Sequence, residues 1–174
     1  MKRTFAQIAF FIVSAAILAV GRNTLAPGKI PWVGEWSKPA VSEGDSMPRP
    51  KSSQANDPPF LTFEEAKAMY GSPDVIFVDA RYPEDYTAGH INGAMLLPFE
   101  MFDDYWPAVE QKMPKDKEIV TYCGGEDCEL SLFLARWLRD KYGYKDVYIF
   151  FGGAVKWKEH NMPVDTSPAP PPGV

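Results

Sequence analysis

Hydrophobic and polar positions change their period repeatedly along this chain. Between residues 60 and 164, short apolar runs alternate with stretches of helical spacing. Thr62 followed by Glu65 forms a capping box that opens a helix, and Gly71 ends it. Val75-Ile76-Phe77-Val78 reads as a buried strand ending at Asp79. Pro83 to Thr87 gives a short helical turn, Gly89 to Ala94 a loop, and Met95-Leu96-Leu97 a short strand. Phe99 to Met113 has helical spacing, with Pro107 obliged to start or kink a turn. Ile119 to Tyr122 and Val147 to Phe150 read as further buried strands. Each leads into a helix, the first over Leu132 to Lys141 and the second over Ala154 to His160. Strands apolar on both faces and separated by helices predict an α/β fold, with a central, mainly parallel sheet flanked by helices in three layers. Ligands on such sheets bind at the carboxyl ends of the strands, where Asp79 and Cys123 both fall.

The pattern differs at the two ends. Lys2 and Arg3 precede an uncharged run from Phe5 to Gly21, which Arg22 closes. A run of about 17 residues is the short limit for a membrane-spanning helix and somewhat long for a signal-peptide core. Residues 1–21 are therefore expected to form an N-terminal hydrophobic helix, acting as a membrane anchor or as a removed signal sequence. In a bacterium, the flanking cations imply inner-membrane anchoring with the domain on the periplasmic side, or secretion to the periplasm after cleavage. Residues 22–59 are proline-rich and are expected to be a linker. Trp32 and Trp36 within it suit either the membrane surface or packing on the domain. Residues 165–174 are expected to be a disordered, proline-rich tail.

Composition narrows the chemistry. A chain of 174 residues holds one ordinary domain plus appendages, and a net charge of −5 argues against a nucleic-acid partner. Two cysteines cannot build a disulfide framework, no zinc pattern is present, and with only His90 and His160 a histidine-rich metal site is not expected. The informative stretch is Tyr122-Cys123-Gly124-Gly125-Glu126-Asp127-Cys128-Glu129-Leu130-Ser131. A strand runs into a cysteine, a glycine-rich turn follows, and then a helix. Backbone N–H groups in such a loop stabilise an anion. A thiol held there ionises near neutral pH and becomes a nucleophile. The bland alternative is a buried structural thiol.

Several motifs in series resemble the signature of the rhodanese family. They are Asp79-Ala80-Arg81-Tyr82-Pro83-Glu84-Asp85-Tyr86, Gly89-His90-Ile91 with Gly93-Ala94, Tyr122-Cys123, and Phe151-Gly152-Gly153-Ala154-Val155-Lys156-Trp157. The resemblance covers about residues 60–164. It implies a rhodanese-like fold and a sulfurtransferase that carries sulfane sulfur as a persulfide on Cys123. A small sulfur donor (thiosulfate or a persulfide) loads the sulfur; a thiol, a protein thiol or cyanide accepts it; no cofactor is needed. By the same resemblance, Gly124, Gly125, Glu126, Asp127, Cys128, Glu129, Leu130 and Ser131 form the substrate-binding loop, with Asp79, Arg81 and His90 in support.

The loop departs from the family in two respects. It is longer than usual and lacks the family's arginine, carrying Glu126, Asp127 and Glu129 instead. Each such carboxylate opposes a dianion by about 1 kcal/mol at partly exposed separations, so thiosulfate is expected to be a poor donor. The second departure is Cys128, which is either a resolving thiol that closes a disulfide with Cys123 or a small residue filling space. Arg81 and Glu84 are placed for a local ion pair, and Arg81 is also a candidate substitute for the missing loop cation. Asp79 is expected to bond the loop or Arg81, and His90 to brace a turn. Two rivals from other classes stand beside the sulfurtransferase: a thiol–disulfide or sulfur-sensing module using Cys123 and Cys128, and a non-catalytic docking domain.

Overall fold

The computed structural model describes residues 49–173, together with the isolated positions Gln7 and Ser14. Chain contacts divide the protein into two compact units, residues 1–45 and 46–174, and the second holds the fold described below. The hydrophobic run from Phe5 to Gly21 and the two linker tryptophans lie outside the described residues. Among the described residues, no helix is long and apolar enough to cross a membrane.

The elements run β1 (Phe60–Leu61), α1 (Phe63–Met69), β2 (Val75–Asp79), α2 (Pro83–Ala88), β3 (His90–Ile91) and β4 (Met95–Leu96). A 3-10 turn (Phe99–Met101) leads into α3 (Phe102–Glu110), followed by β5 (Glu118–Tyr122), α4 (Leu130–Asp140), β6 (Val147–Phe150), α5 (Gly153–Glu159) and β7 (Val164–Asp165). The main sheet has the order β1-β6-β5-β2-β4, with every neighbouring pair parallel. Side chains alternate across it, as the two-residue period of a strand requires. Val78, Ile119, Val147 and Ile149 pack with α3 and α4 on one face. Phe77, Val120, Tyr122 and Phe150 pack with Ala66 of α1 and Trp157 of α5 on the other. The result is the expected helix–sheet–helix layering.

Two helix starts follow from local chemistry. The Thr62 hydroxyl accepts the Glu65 N–H while the Glu65 carboxylate accepts the Thr62 N–H, which closes the capping box of α1. Pro83 occupies the first turn of α2, where its missing N–H has no intrahelical partner to lose. The expected helix over Phe99 to Met113 is instead a 3-10 turn followed by an α-helix that contains Pro107. Two further differences are short strands. His90–Ile91, expected as a loop, pairs antiparallel with Val164–Asp165 in a separate ribbon, and Phe60–Leu61 adds to the edge at β6.

Segments flanking the helices and strands are also tied down. Asp57 forms an ion pair with Arg136 of α4 at 2.6 Å, with its side chain only 3% exposed. Arg136 also donates to the Ser52 carbonyl, and Arg139 to that of Asn56. Residues 49–57 thus strap across α4. Beyond residue 164, the Ala169 N–H donates to the Thr87 hydroxyl, and Ala169 packs on the core.

α5 begins by closing onto the end of β5. The Ala154 N–H donates to the Cys123 carbonyl at 2.8 Å, and the Val155 N–H to the Gly124 carbonyl at 2.9 Å. Gly153, just before these two donors, has φ +58°, and a Cβ on it would collide with the Cys123 carbonyl oxygen.

Two predictions follow from these contacts. Gly153→Ala is expected to cost about 1–2 kcal/mol from the left-handed backbone alone, and more from the collision. The cost is read as a lower urea midpoint at unchanged slope. For Asp57, burial favours the neutral carboxyl, but the Arg136 hydrogen bond, the Gln54 N–H and the charges of Arg136 and Arg139 outweigh it and hold the group below the usual carboxylate range. Its folded-state affinity for protons is lower than the unfolded one, so its stabilisation is present above about pH 4 and is lost as pH falls below that. Asp57→Ala is expected to lower stability at pH 7 by about 1–3 kcal/mol, with a smaller difference from wild type at pH 3.

Candidate active site

The parallel register brings three strand ends together. Asp79 stands opposite Tyr122, and Tyr122 opposite Phe150, so the loops after β2, β5 and β6 open on one edge of the sheet. Asp79 is fully buried and its charge is matched there. Its carboxylate accepts the Arg81 backbone N–H at 3.0 Å and the Arg81 guanidinium at 2.6 and 2.9 Å. Arg81 therefore pairs with Asp79 rather than with Glu84. Its guanidinium also donates to the Gly89 carbonyl at 3.0 Å and lies over the Tyr122 ring.

Cys123 follows β5 directly and is fully buried. Its thiol donates to the Cys128 carbonyl at 2.9 Å, with the Gly125 carbonyl farther off at 3.9 Å. On the other side, the Ser131 hydroxyl donates to Cys123 Sγ at 3.4 Å, and the Ser131 N–H also points to that sulfur. Ser131 is itself fixed from below, because the buried Thr121 hydroxyl donates to its carbonyl at 3.0 Å. Contact with the Cys128 thiol and burial push the Cys123 thiol well up, against the two Ser131 donors. The carbonyl at 2.9 Å acts in the same direction, since it holds the thiol proton.

Cys128 has the opposite environment. It is half-buried, and a turn closed by its own N–H onto the Gly125 carbonyl at 3.0 Å brings it over Cys123. The hydrogen bond with the Cys123 thiol, the N–H groups of Gly124 and Leu130, and the charge of Arg81 lower its thiol to about 6 against the opposing effect of burial. The surroundings thus favour the thiol form at Cys123 and the anion at Cys128. The anion-binding N–H groups expected around Cys123 are divided: Ser131 serves Cys123, while Gly124 and Leu130 serve Cys128.

Beside Cys128 opens a cavity of about 540 Å³, lined by Gly125, Glu126, Asp127, Val155 and Lys156 among others. Lys156 is the cation of this wall and lies 3.6 Å from Glu159, which also lines it. Glu129 turns the other way, accepting the Ser52 N–H at 3.2 Å beside Arg49 and Lys51. The predicted loop residues are thus brought together. Leu130 opens α4, and the Gly124 carbonyl is tied to α5. His90 stands apart in the β3–β7 ribbon. It stacks on Tyr86 at 3.5 Å, and its Nδ1 is 2.8 Å from the Tyr86 carbonyl. Sequence reasoning missed the contribution of α5 to the cavity wall. The signal was available, since Gly152-Gly153 ends the strand next to β5 in a parallel sheet. Among the described residues, no cluster of His, Cys, Asp and Glu could hold a metal ion.

Comparison with known proteins agrees with this geometry. The family model described as "Rhodanese-like domain" matches residues 62–160. A curated relative from Sodalis glossinidius, named tRNA uridine(34) hydroxylase, is 32% identical over 79% of this chain and 40% of its own length. One of the same name from Erwinia tasmaniensis is 37% identical over 60% of this chain and 31% of its own. The chain therefore spans well under half the length of the curated relatives it matches. The solution structure of a rhodanese-like domain from Anabaena superposes with a TM-score of 0.51 at 25% identity, covering 64% of this chain and 80% of that one.

These findings correct one expectation. Placement in the periplasm, whether tethered to the inner membrane or secreted, is not upheld: the curated relatives bear the name tRNA uridine(34) hydroxylase. The strand-end cysteine, the Asp79–Arg81 pair behind it and a family model matching more than half of the residues lead to one assignment: the chain belongs to the rhodanese-like domain family.

Proposed function

We propose that this domain is a sulfurtransferase that carries sulfane sulfur as a persulfide on Cys123 and passes it to a thiophilic acceptor. The observation that carries this reading is the seat of Cys123 Sγ at the carboxyl end of a central strand, with the Ser131 hydroxyl at 3.4 Å and the Ser131 N–H turned toward it. A persulfide anion formed there finds two donors already in place and needs no metal or organic cofactor. The outer sulfur of that persulfide is the electrophile a thiol or cyanide attacks, with Cys123 as leaving group.

The cavity wall sets the kind of donor. Glu126, Asp127 and Glu159 face the approach, against the single Lys156. Two unscreened carboxylates raise the barrier for a dianion by about 2 kcal/mol, roughly a thirtyfold loss in rate. A zwitterionic or neutral persulfide avoids that penalty, so thiosulfate is the poorer donor. The activity named for the curated relatives is not carried over to this domain. A rim of carboxylates repels a phosphate backbone, and the net charge of −5 gives no general attraction to one.

The test is thiocyanate formation by the reduced full chain, with cyanide as acceptor and either thiosulfate or cysteine persulfide as donor. The expected result is turnover with cysteine persulfide that exceeds thiosulfate turnover by about tenfold or more. Cys123→Ser is expected to lower it by at least about a hundredfold. Equal use of both donors would remove the argument from wall charge. Absence of turnover in the wild-type chain would overturn the sulfurtransferase reading and favour a docking domain, whereas full turnover in Cys123→Ser would overturn Cys123 as the persulfide carrier.

A further inference from the structure

Two sulfurs occupy this site, and the one assigned to carry the persulfide is not the one a donor meets. Cys123 is fully buried beneath the loop and lies outside the residues that line the cavity. To reach it directly, a donor would have to displace the Cys128 backbone, whose carbonyl accepts the Cys123 thiol at 2.9 Å. Cys128 does line the cavity, with Glu126, Asp127 and Lys156 around the opening. Behind it stand the N–H groups of Gly124 and Leu130 and the charge of Arg81, three features that favour an anion on sulfur. Cys128 is also near enough to Cys123 for the two thiols to share a hydrogen bond.

We propose that Cys128 is the thiol that takes sulfur from the donor, and that the sulfane sulfur then passes inward from Cys128 to Cys123. The proposal rests on the sulfurtransferase reading above. In the first step, the Cys128 thiolate attacks the outer sulfur of a persulfide R–S–SH. A Cys128–sulfur bond forms, the bond within the donor's S–S pair breaks, and RS⁻ leaves. In the second step, Cys123 attacks the outer sulfur now held by Cys128. That sulfur is transferred, the Cys128 sulfur leaves, and the Cys123 proton passes to it. The sulfur keeps its oxidation level throughout, so no oxidant or reductant is required. Attack on the inner sulfur instead would close a Cys123–Cys128 disulfide and expel hydrosulfide.

The arrangement gives each thiol a separate task. Cys128 is half-buried in the cavity wall, with N–H groups that favour an anion behind it, which suits capture. Cys123 is buried with its thiol directed at the Cys128 carbonyl, and the Ser131 donors already face the sulfur on which charge would arrive.

The order of the thiols can be read in the wild-type full chain without any substitution. Limited alkylation with iodoacetamide followed by peptide mapping is expected to mark Cys128 about tenfold faster than Cys123 at pH 7. The rate at Cys128 is expected to fall as pH drops through about 6, because the thiolate is lost below that point. Preferential labelling of Cys123 would overturn the proposal. A second measurement uses rapid mixing with cysteine persulfide and intact mass. Cys123→Ser is expected to gain one sulfur atom, held on Cys128, while Cys128→Ser loads Cys123 at least about tenfold more slowly than wild type. If wild type gains sulfur and Cys128→Ser gains it equally fast, the relay is wrong and the sulfurtransferase reading stands. If wild type gains none, both fail. Loss of two hydrogens without retained sulfur would replace the relay by disulfide closure.

Discussion

The site depends on the two hydrogen bonds that clamp the loop after β5 to the amino end of α5. Once the Cys123 and Gly124 carbonyls are held by the Ala154 and Val155 N–H groups, the peptide planes at the loop's base can no longer rotate. The Cys123 side chain is then fixed inward, between Ser131 and the Cys128 carbonyl, and the remainder of the loop must arch over it. Gly153 is what lets the two segments come so close. The two glycines that follow the cysteine catch the eye first, yet neither adopts a positive φ. The glycine that the geometry demands lies on the neighbouring strand's turn.

Much of the fold was legible because its signals are local. The Thr62 and Glu65 capping box and the apolar run Val147–Phe150 stand in the structure where the pattern predicts them. Asp79 and Cys123 both mark strand ends, which a hydrophobic run followed by a polar or turn residue announces. The β3–β7 ribbon was not legible. Two-residue strands are too short to display a period, and the partners lie far apart in sequence. Phe60–Leu61 escaped notice for the same reason. Spacing places Cys128 near Cys123 but not above it, because the direction in which a loop's amides point depends on its turn and not on its composition. The division of N–H groups between two sulfurs is therefore visible only in three dimensions.

Charge is layered across the site. The buried layer is balanced, with Asp79 held by Arg81 through several hydrogen bonds. The thiol pair lies within reach of Arg81's charge, which favours an anion on Cys128. The outer layer is acidic, with Glu126, Asp127 and Glu159 at the opening. An inner cation and an outer anionic rim act at different moments: the first stabilises a sulfur anion already in the site, and the second selects what approaches it. Absence of a loop arginine therefore does not leave the sulfurs without positive charge. The cation reaches them from β2's end instead.

The strap from residue 49 to Asp57 changes what counts as the domain. The family model matches residues 62–160, yet Arg136 takes its carboxylate from Asp57, Glu129 of the loop takes its hydrogen bond from Ser52, and Trp157 gives its indole N–H to the Pro163 carbonyl. A fragment trimmed to the matched boundaries would keep both cysteines and lose the partners of Glu129, Arg136 and Trp157. Excising or grafting this module therefore requires the flanking segments on both sides.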